Sequence, residues 1–557
     1  PFTTPGRVTT AGNLLAGTTL DLTAPSLFNA ASGEIAAGAT WLSVAGSLDN
    51  YGLIDGSQTW LRAGTLTNAG TGRIYGDHLS LQATTLNNLA QGGKAATLAG
   101  RQRVDIGADT INNRDHALIY SDGALAIGGQ IDARGFATGQ AKTLNNHSAT
   151  IESAGDMALS IGLINNVNDR FSTDVALIST EEMHEYQHRG SPDRWDANTA
   201  GVFVDHNSAD RLLNLNTPDD TGANNDNFYE YSYTRTIEEE VIIESDPGKI
   251  LSGGNMLIAA HQVLNDKSQI VAGGTLGIFA DSVDNVMPEG SRWITEAGSV
   301  THYSRKSKKG GDSQGKSTSD YTPPVVIQSI TLNPGRMEGN SQAEGSEISL
   351  SPATAHRTDA TLQEVGSLTV GVETTVPGQG ALSPELPAGH TPAKWIEMPA
   401  SDAQGVVIRA AGPDTRLPDS SLFNTLPDPS AAYLVETDPR FTNNKTWLGS
   451  DYMQNAFATD PNNVHKRLGD GYYEQRLVRE QIIALTGGRY LGDYRDDETQ
   501  FKALMDAGIA FGQEHQLIPG VALTAEQMSL LTEDMVWLVN TRGQLADGSW
   551  RTGPVTR

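Results

Sequence analysis

The strongest chemical signature in the sequence is the run from His184 to His188, which matches the pattern His-Glu-x-x-His. On a helix, this spacing places both imidazoles on one face to bind zinc, with the glutamate as general base. A catalytic zinc also needs a third ligand; Gly190 falls one position early for the extended zinc-protease pattern, and only His206 follows as a loose candidate. No helical pattern surrounds the motif. We therefore interpret it as a loop with two surface histidines and predict no metal site.

A second possible chemistry is polysaccharide cleavage, which requires two carboxylates that converge in one groove. Asp105, Asp122 and Glu152 are the candidate acids, but they fall in different copies of the repeat described below and form no recognisable pair. We predict that the chain is not an enzyme and uses no cofactor. A carbohydrate-active β-helix enzyme is the alternative hypothesis, and a purely structural spacer is a third.

Aromatic residues in the middle of the chain are candidates for binding rather than catalysis, because aromatic side chains are large anchors at interfaces. The alternative is that these rings only cover a hydrophobic core or pack on a proline-rich stretch. The candidate binding residues are Tyr186, Trp195, Phe228, Tyr229, Tyr231 and Tyr233.

The composition limits the classes of partner. The chain has 557 residues, no cysteine and a formal net charge of -27. This acidity argues against nucleic acid as a partner and against a general electrostatic grip on anionic membranes. The basic stretch Arg305–Gly311 is polar and glycine-rich, and we interpret it as a solvated loop.

The elements that must position these residues come from an internal repeat. A Leu-x-Asn or Ile-Asn-Asn triplet recurs with steps of about 20 residues, which is typical of a solenoid. The triplets begin at Leu27, Leu48, Leu66, Leu86, Ile111, Leu144 and Ile164. The pattern stops after Asn166 and resumes at Ile250.

Each repeat contains two or three short alternating strands separated by Gly and Asn turns. Wound into a coil, such strands stack about 4.8 Å apart, with Leu and Ile pointing inward in columns. An asparagine at a fixed corner can hydrogen-bond to its equivalent one coil away. We therefore predict a mainly β chain, a right-handed parallel β-helix with insertions, a Pro-rich β/loop region and a small C-terminal α-helical subdomain.

The repeats resemble those of filamentous-haemagglutinin and contact-dependent growth inhibition exoproteins, which are exported by two-partner secretion. The stretch Ser268–Leu276 is especially similar. So are three later blocks: Tyr433–Phe441, Trp447–Met453 and Arg467–Glu480. The resemblance covers most of the chain.

The resemblance implies a surface filament of a Gram-negative bacterium, exported through a partner outer-membrane transporter. It also implies a receptor on a target cell, either an outer-membrane protein or a lipopolysaccharide glycan. The family's amino-terminal secretion domain and its Val-Glu-Asn-Asn motif are not found here, so no toxin activity is assigned to this chain. The first residue is Pro1, and we expect a monomeric interior fragment of a longer protein.

The same patterns predict the domain organisation. Repeats occupy 1–166 and 248–285, and an aromatic-rich insertion occupies 167–247. The Pro-rich region 286–430 is a candidate receptor-binding region, which includes alternating pieces at 347–350 and 367–372. In 431–557 we predict three helices: one over Tyr472–Thr486, one through Phe501–Phe511, and one that begins at Thr524 and carries Met528, Leu531, Met535 and Leu538.

Overall fold

The computed structural model describes residues 1–206, 211–219, 225–332, 416–425, 433–457, 467–523, 527, 530–531, 533–544 and 550–556. The alternating pieces predicted at 347–350 and 367–372 lie outside these residues, as do Thr524 and Met528.

A parallel β-solenoid forms the body of the chain, which confirms the predicted fold class. Successive coils pair in register: Leu66 lies opposite Leu86, which in turn lies opposite Ile111. Ile111 pairs with Leu144, and Leu144 with Ile164. All five side chains are fully buried, so the aliphatic residue of each triplet builds one inward column of the core.

The solenoid sheet has 24 strands. Their bounds are Phe2–Thr3, Val8–Thr10, Asn13–Leu15, Thr19–Ala24, Leu27–Asn29, Glu34–Ala36, Ala39–Val44, Ser47–Asn50, Leu53–Asp55, Gln58–Ala69, Arg73–Gln91, Lys94–Ala95, Thr97–Arg114, Leu118–Ser121, Ala124–Gly128, Ala141–His147, Thr150–Ser153, Met157–Val167, Lys249–Ser252, Met256–Ala259, Gln262–Asp266, Gln269–Ala272, Leu276–Phe279 and Ser282–Val286. A small hairpin, Gln130–Ile131 with Ala137–Thr138, leaves one coil.

A column of buried asparagine amides runs along one corner of the solenoid. Asn50 Nδ2 donates to Asn68 Oδ1 at 2.8 Å, and Asn68 Nδ2 donates to Asn88 Oδ1 at 3.0 Å. Each amide also donates to a main-chain carbonyl, such as Thr97 O at 3.0 Å from Asn68. The predicted stacking of equivalent asparagines is therefore present, and it satisfies buried polar groups that would otherwise destabilise the corner.

A second sheet, antiparallel, leaves the solenoid at residues 167–248. It has six strands: Phe171–His188, Trp195–Asp196, Phe228–Ser245, Glu289–Lys306, Ser313–Tyr321 and Val326–Thr331. Its three longest strands lie side by side, because Phe228–Ser245 pairs with Phe171–His188 on one edge and with Glu289–Lys306 on the other. Residues from both the predicted insertion and the start of the predicted Pro-rich region therefore share one sheet. A hairpin of Phe203–His206 and Leu213–Asn216 lies beyond its outer end.

The C-terminal part packs against the flank of the solenoid, not across its end. Its helices are α1 (Pro439–Thr442), α2 (Asp451–Ala456), α3 (Gly471–Thr486) and α4 (Asp497–Glu514). Its strands are Phe423–Asn424, Tyr433–Thr437, Arg467–Gly469, Leu538–Gln544 and Trp550–Thr556. Phe441 and Tyr472 are buried against Tyr75 and Tyr120 of the solenoid wall.

Two of the three predicted helices are confirmed as α3 and α4, and Gly487 ends α3 in the left-handed conformation, as a helix-terminating glycine does. The third predicted helix is wrong over its later part, although Gln527 is helical. Met535 lies outside any helix, and Leu538 begins a strand that pairs with Trp550–Thr556. The apolar spacing in this stretch reflects burial of Val536, Trp537 and Leu538 beside α4.

Candidate functional site: the projecting arm

We use the name arm for the six-stranded antiparallel sheet together with the described residues at its outer end, 189–206, 211–219 and 225–227. Its strand Phe171–His188 has 18 residues and spans about 60 Å at 3.3 Å per residue. The arm is pinned where it leaves the solenoid: Asn168 Nδ2 donates to Ser245 Oγ at 3.0 Å, and Asp246 N donates to Asn168 Oδ1 at 3.1 Å. Its outgoing and returning strands therefore start from one fixed point.

A cluster of charged side chains links the end of the returning strand, Phe228–Ser245, to the rest of the chain. The His116 ring contacts Asp246 through Nε2 at 2.7 Å and Asp419 through Nδ1 at 2.5 Å. These two hydrogen bonds raise the pKa of His116 to about 9. The charged His116 ring, hydrogen-bonded through both of its nitrogens, thus joins the solenoid corner, the arm and the segment that leads to the C-terminal part.

The His-Glu-x-x-His motif lies in the strand Phe171–His188, so its interpretation as a loop is wrong. Four residues along a strand separate His184 and His188 by about 13 Å, which is too far for one zinc ion. His184 Nε2 contacts Glu230 Oε1 at 3.1 Å. His206 hydrogen-bonds Arg211 O, and no group of three His, Asp or Glu side chains suited to a metal is found among the described residues.

Tyr186, Trp195 and Phe228 lie on one face of the arm. Phe228 is fully buried and stacks on Tyr303 with 4.7 Å between ring centroids. Glu230 accepts hydrogen bonds from Tyr303 and Tyr186, at 2.9 and 3.3 Å. Burial together with the Glu230 charge raises the pKa of Tyr186 to about 12, so its hydroxyl stays protonated and able to donate.

Tyr229, Tyr231 and Tyr233 lie on the opposite face, because side chains alternate along a strand. The Arg194 guanidinium lies 3.9 Å from the Tyr231 ring centroid and donates to Tyr321 Oη at 2.9 Å. Tyr233 donates to Glu185 at 2.9 Å. Burial first, and then the Glu185 hydrogen bond, raise the pKa of Tyr233.

The structure therefore divides the six candidate rings into two sets of three. Phe228, Tyr231 and Tyr233 are buried inside the arm, whereas Tyr186, Trp195 and Tyr229 remain partly exposed. Sequence reasoning did not identify Tyr303, Tyr321 or Arg194 as their partners. These contacts span up to 127 residues, as between Arg194 and Tyr321, so no local signal marks them.

Each of the three candidate catalytic acids contacts at least one basic side chain. Asp105 contacts Arg103 and His78, and Asp122 contacts Lys445 at 3.0 Å. Glu152 contacts both Arg479 and Arg489, at 3.0 and 2.8 Å.

No described helix is long and apolar enough to cross a membrane.

Comparison with known proteins gives relatives of one kind. The chain is 28% identical over 470 residues to Toxin CdiA of Yersinia pestis, which covers 80% of this chain and 14% of that protein. It is 33% identical over 205 residues to tRNA nuclease CdiA-2 of Burkholderia pseudomallei, covering 35% of this chain and 6% of that protein. It is 27% identical over 286 residues to Toxin CdiA of Escherichia coli, covering 50% and 9% respectively.

The chain thus spans at most 14% of the length of these three relatives. No family model and no solved structure matches it. The relatives share one name, and the repeats build the parallel solenoid expected of filamentous-haemagglutinin repeats. The chain is similar over most of its length to a protein named Toxin CdiA, and its β-solenoid is consistent with the filament region of CdiA- and filamentous-haemagglutinin-like proteins.

Proposed function

We propose that the chain is an extracellular filament segment whose arm presents a receptor-binding surface to a target cell. The observation that carries this proposal is the place of the arm in the fold: a sheet about 60 Å long leaves the solenoid between two consecutive coils. Since insertions in solenoids map to one face, which is often the binding face, this is where a partner would be met.

Stiffness supports the proposal. The solenoid cross-links every coil to its neighbours through main-chain hydrogen bonds, and the arm is fixed at its base by Asn168 and His116. An aromatic cluster around Phe228 and Tyr303 packs near its outer end. A surface held on rigid elements loses less entropy when it binds than a flexible loop does.

The partly exposed rings Tyr186, Trp195 and Tyr229 are the proposed contact residues. Amphipathic rings suit either proposed receptor, an outer-membrane protein or a lipopolysaccharide glycan. We further propose secretion through a partner outer-membrane transporter, residence at the outer surface of a Gram-negative bacterium, and a role in adhesion or contact-dependent growth inhibition. The relatives are named toxins and nucleases, but the proposal assigns neither activity to this chain.

A deletion at the outer end of the arm tests the proposal. His188 and Phe228 are directly paired, so a two-residue Asn-Gly turn can replace residues 189–227 and close the hairpin. Fluorescently labelled chain should bind intact Gram-negative target cells saturably in flow cytometry. The shortened variant should bind at least about tenfold more weakly, because it lacks the Trp195 anchor and the rest of the outer end.

The matched control shortens another hairpin to the same turn. Ile131 and Ala137 are paired at the base of the small solenoid hairpin, so residues 132–136 can be replaced by Asn-Gly without touching the arm. This control should bind as the parent does. Equal binding by the parent and the 189–227 variant, with both folded by circular dichroism, would refute the proposal and favour the structural spacer.

A further inference from the structure

The hairpin at the outer end of the arm is a basic segment within an acidic chain. Between residues 305 and 316 there are five basic residues and one acid, so the segment carries 5 − 1 = 4 positive charges, whereas the whole chain carries -27. The hairpin joins the strands Glu289–Lys306 and Ser313–Tyr321. It therefore lies at the end of the arm farthest from the solenoid.

The single acid of the hairpin is already neutralised. Asp312 accepts hydrogen bonds from Arg305 Nε at 2.7 Å, Ser307 Oγ at 3.1 Å and Lys308 N at 3.3 Å. Arg305 also donates to Asp226 at 3.0 Å. The arginine is thus fully engaged in holding the hairpin, and it is not available for an external partner.

Three lysines remain free. Lys306, Lys308 and Lys309 are exposed, and none of their side-chain ammonium groups forms a hydrogen bond or ion pair with any residue that the structure describes. The turn that carries them is tight: Gly311 N donates to Lys308 O at 3.2 Å, and Gly311 has a φ of 121°, which favours glycine. The three lysines therefore lie within four consecutive residues, at or beside one turn.

Side chains of the two strands that lead to the hairpin are packed together. Lys316 Nζ lies 5.3 Å from the ring centroid of Tyr303, and that ring stacks on Phe228. The Thr301 and Thr318 hydroxyls are 3.0 Å apart across the same two strands. The lysines therefore lie next to packed residues of the arm.

We infer that Lys306, Lys308 and Lys309 form a docking surface for the phosphate groups of an anionic lipid membrane. This inference rests on the proposed function and deepens it by naming a chemistry for one contact of the arm. Lysine acts as a point charge without the planar fork of arginine, so free lysines beside an occupied arginine suit a diffuse array of phosphates better than one shaped phosphate site.

The length of the arm explains how an acidic protein can use such a contact. At physiological salt the Debye length is about 8 Å, so charges tens of ångströms away along the arm are screened. The negative charge of the solenoid therefore does not oppose approach of the hairpin to an anionic surface. Each lysine near such a surface strengthens binding about fivefold.

Vesicle co-sedimentation tests the inference without any receptor, so its failure and that of the proposed function are distinguishable. The full chain should bind vesicles of phosphatidylcholine mixed with phosphatidylglycerol, and it should not bind vesicles of phosphatidylcholine alone. The variant K306Q/K308Q/K309Q should lose about a hundredfold in affinity, the product of three such steps. The arginine variant K306R/K308R/K309R should retain binding, because it keeps the charge.

A matched control removes three charges elsewhere: R134Q/K142Q/K502Q changes exposed residues of the solenoid and of α4 that form surface ion pairs. It should bind as the parent does. The inference is overturned if the lysine variant binds as well as the parent or if neutral vesicles bind equally. It is also overturned if binding persists at about 1 M salt, where the Debye length is about 3 Å.

Discussion

Asn166 and Asn265 are 99 residues apart in the sequence, yet the Asn166 side-chain amide donates to Asn265 Oδ1 at 2.8 Å. The same amide donates to Gly248 O and Gln269 O. The asparagine column therefore continues across the arm as if residues 167–247 were absent. The solenoid and the arm are thus two structural units of one chain. The asparagine column keeps the coils in register at the point where the arm leaves the solenoid.

The first prediction concerns this asparagine column. Asn68→Ala removes one acceptor and two donated hydrogen bonds in a fully buried corner and leaves the Asn50 amide short of a partner. We expect a loss of about 2–4 kcal/mol in the free energy of unfolding, measured by urea denaturation. Asn87→Ala, in the partly buried outer row, should cost less than about 1 kcal/mol. Equal losses at both positions would show that burial does not determine how much each asparagine contributes to the free energy of unfolding.

The second prediction concerns the contact between the solenoid and the C-terminal part. Glu152 is buried between Arg479 and Arg489, which also share Asp497. Burial would raise the pKa of Asp497, but the charges of the two arginines outweigh burial and lower it. Glu152→Ala leaves two buried guanidinium groups with one carboxylate and should cost about 3–5 kcal/mol.

Hydrogen exchange distinguishes this effect from a general loss of stability. The amides of α3 should exchange faster in Glu152→Ala, while those of the coils near residue 60 should change little. Asp109→Asn, which breaks the exposed pair with Lys142, is the control and should leave exchange of α3 as it is. Unchanged protection of α3 in Glu152→Ala would show that aromatic packing alone holds the two parts together.

The solenoid could be predicted from the sequence because its repeat is local. Each coil presents the same triplet, and the triplet alone indicates which side chain points inward, as Leu86 and Ile111 do. Helices α3 and α4 were predictable for the same reason, since one apolar stripe defines each of them without reference to distant residues, and a glycine ends α3.

The arm could not be predicted in the same way, because its partners are remote in the sequence. Tyr231 lies on the alternating strand that the sequence does indicate, but Tyr321 and Arg194, which complete its surroundings, come from other strands. The register between Phe228–Ser245 and Glu289–Lys306 depends on pairing across more than 40 intervening residues, which no period reveals. The helix predicted through Leu538 is wrong for the same reason, since Leu538 lies in a strand that pairs with the remote residue Thr556.

The third prediction addresses the zinc motif. Because the strand holds His184 and His188 about 13 Å apart, purified chain should contain no stoichiometric zinc by mass spectrometry, even after incubation with zinc and desalting. His184→Ala should lower neither zinc content nor cell binding by more than about twofold, since the ion pair of His184 with Glu230 is exposed. One zinc per chain, lost in both His184→Ala and His188→Ala, would contradict the extended strand in this region.

The fourth prediction is a pH dependence that follows from the His116 bridge. Histidine in the unfolded chain has a pKa near 6.5, and the hydrogen bonds to Asp246 and Asp419 raise it to about 9 in the folded chain. A pKa that is higher in the folded state adds stability below the unfolded pKa. That contribution should therefore be complete below about pH 6.5 and should disappear as the pH rises through about 9.

His116→Asn is the variant that isolates this effect. His116 has a φ of 66°, which asparagine tolerates well, and the amide nitrogen of asparagine can still donate hydrogen bonds but carries no charge. The parent should be more stable than the variant at about pH 6, and this difference in urea midpoint should shrink by about pH 9.5. His261→Asn, at an exposed contact with Asp281, controls for removal of a histidine. A difference between parent and His116→Asn that does not change with pH would mean that shape, and not the imidazolium charge, holds the arm and the segment at Asp419 to the solenoid.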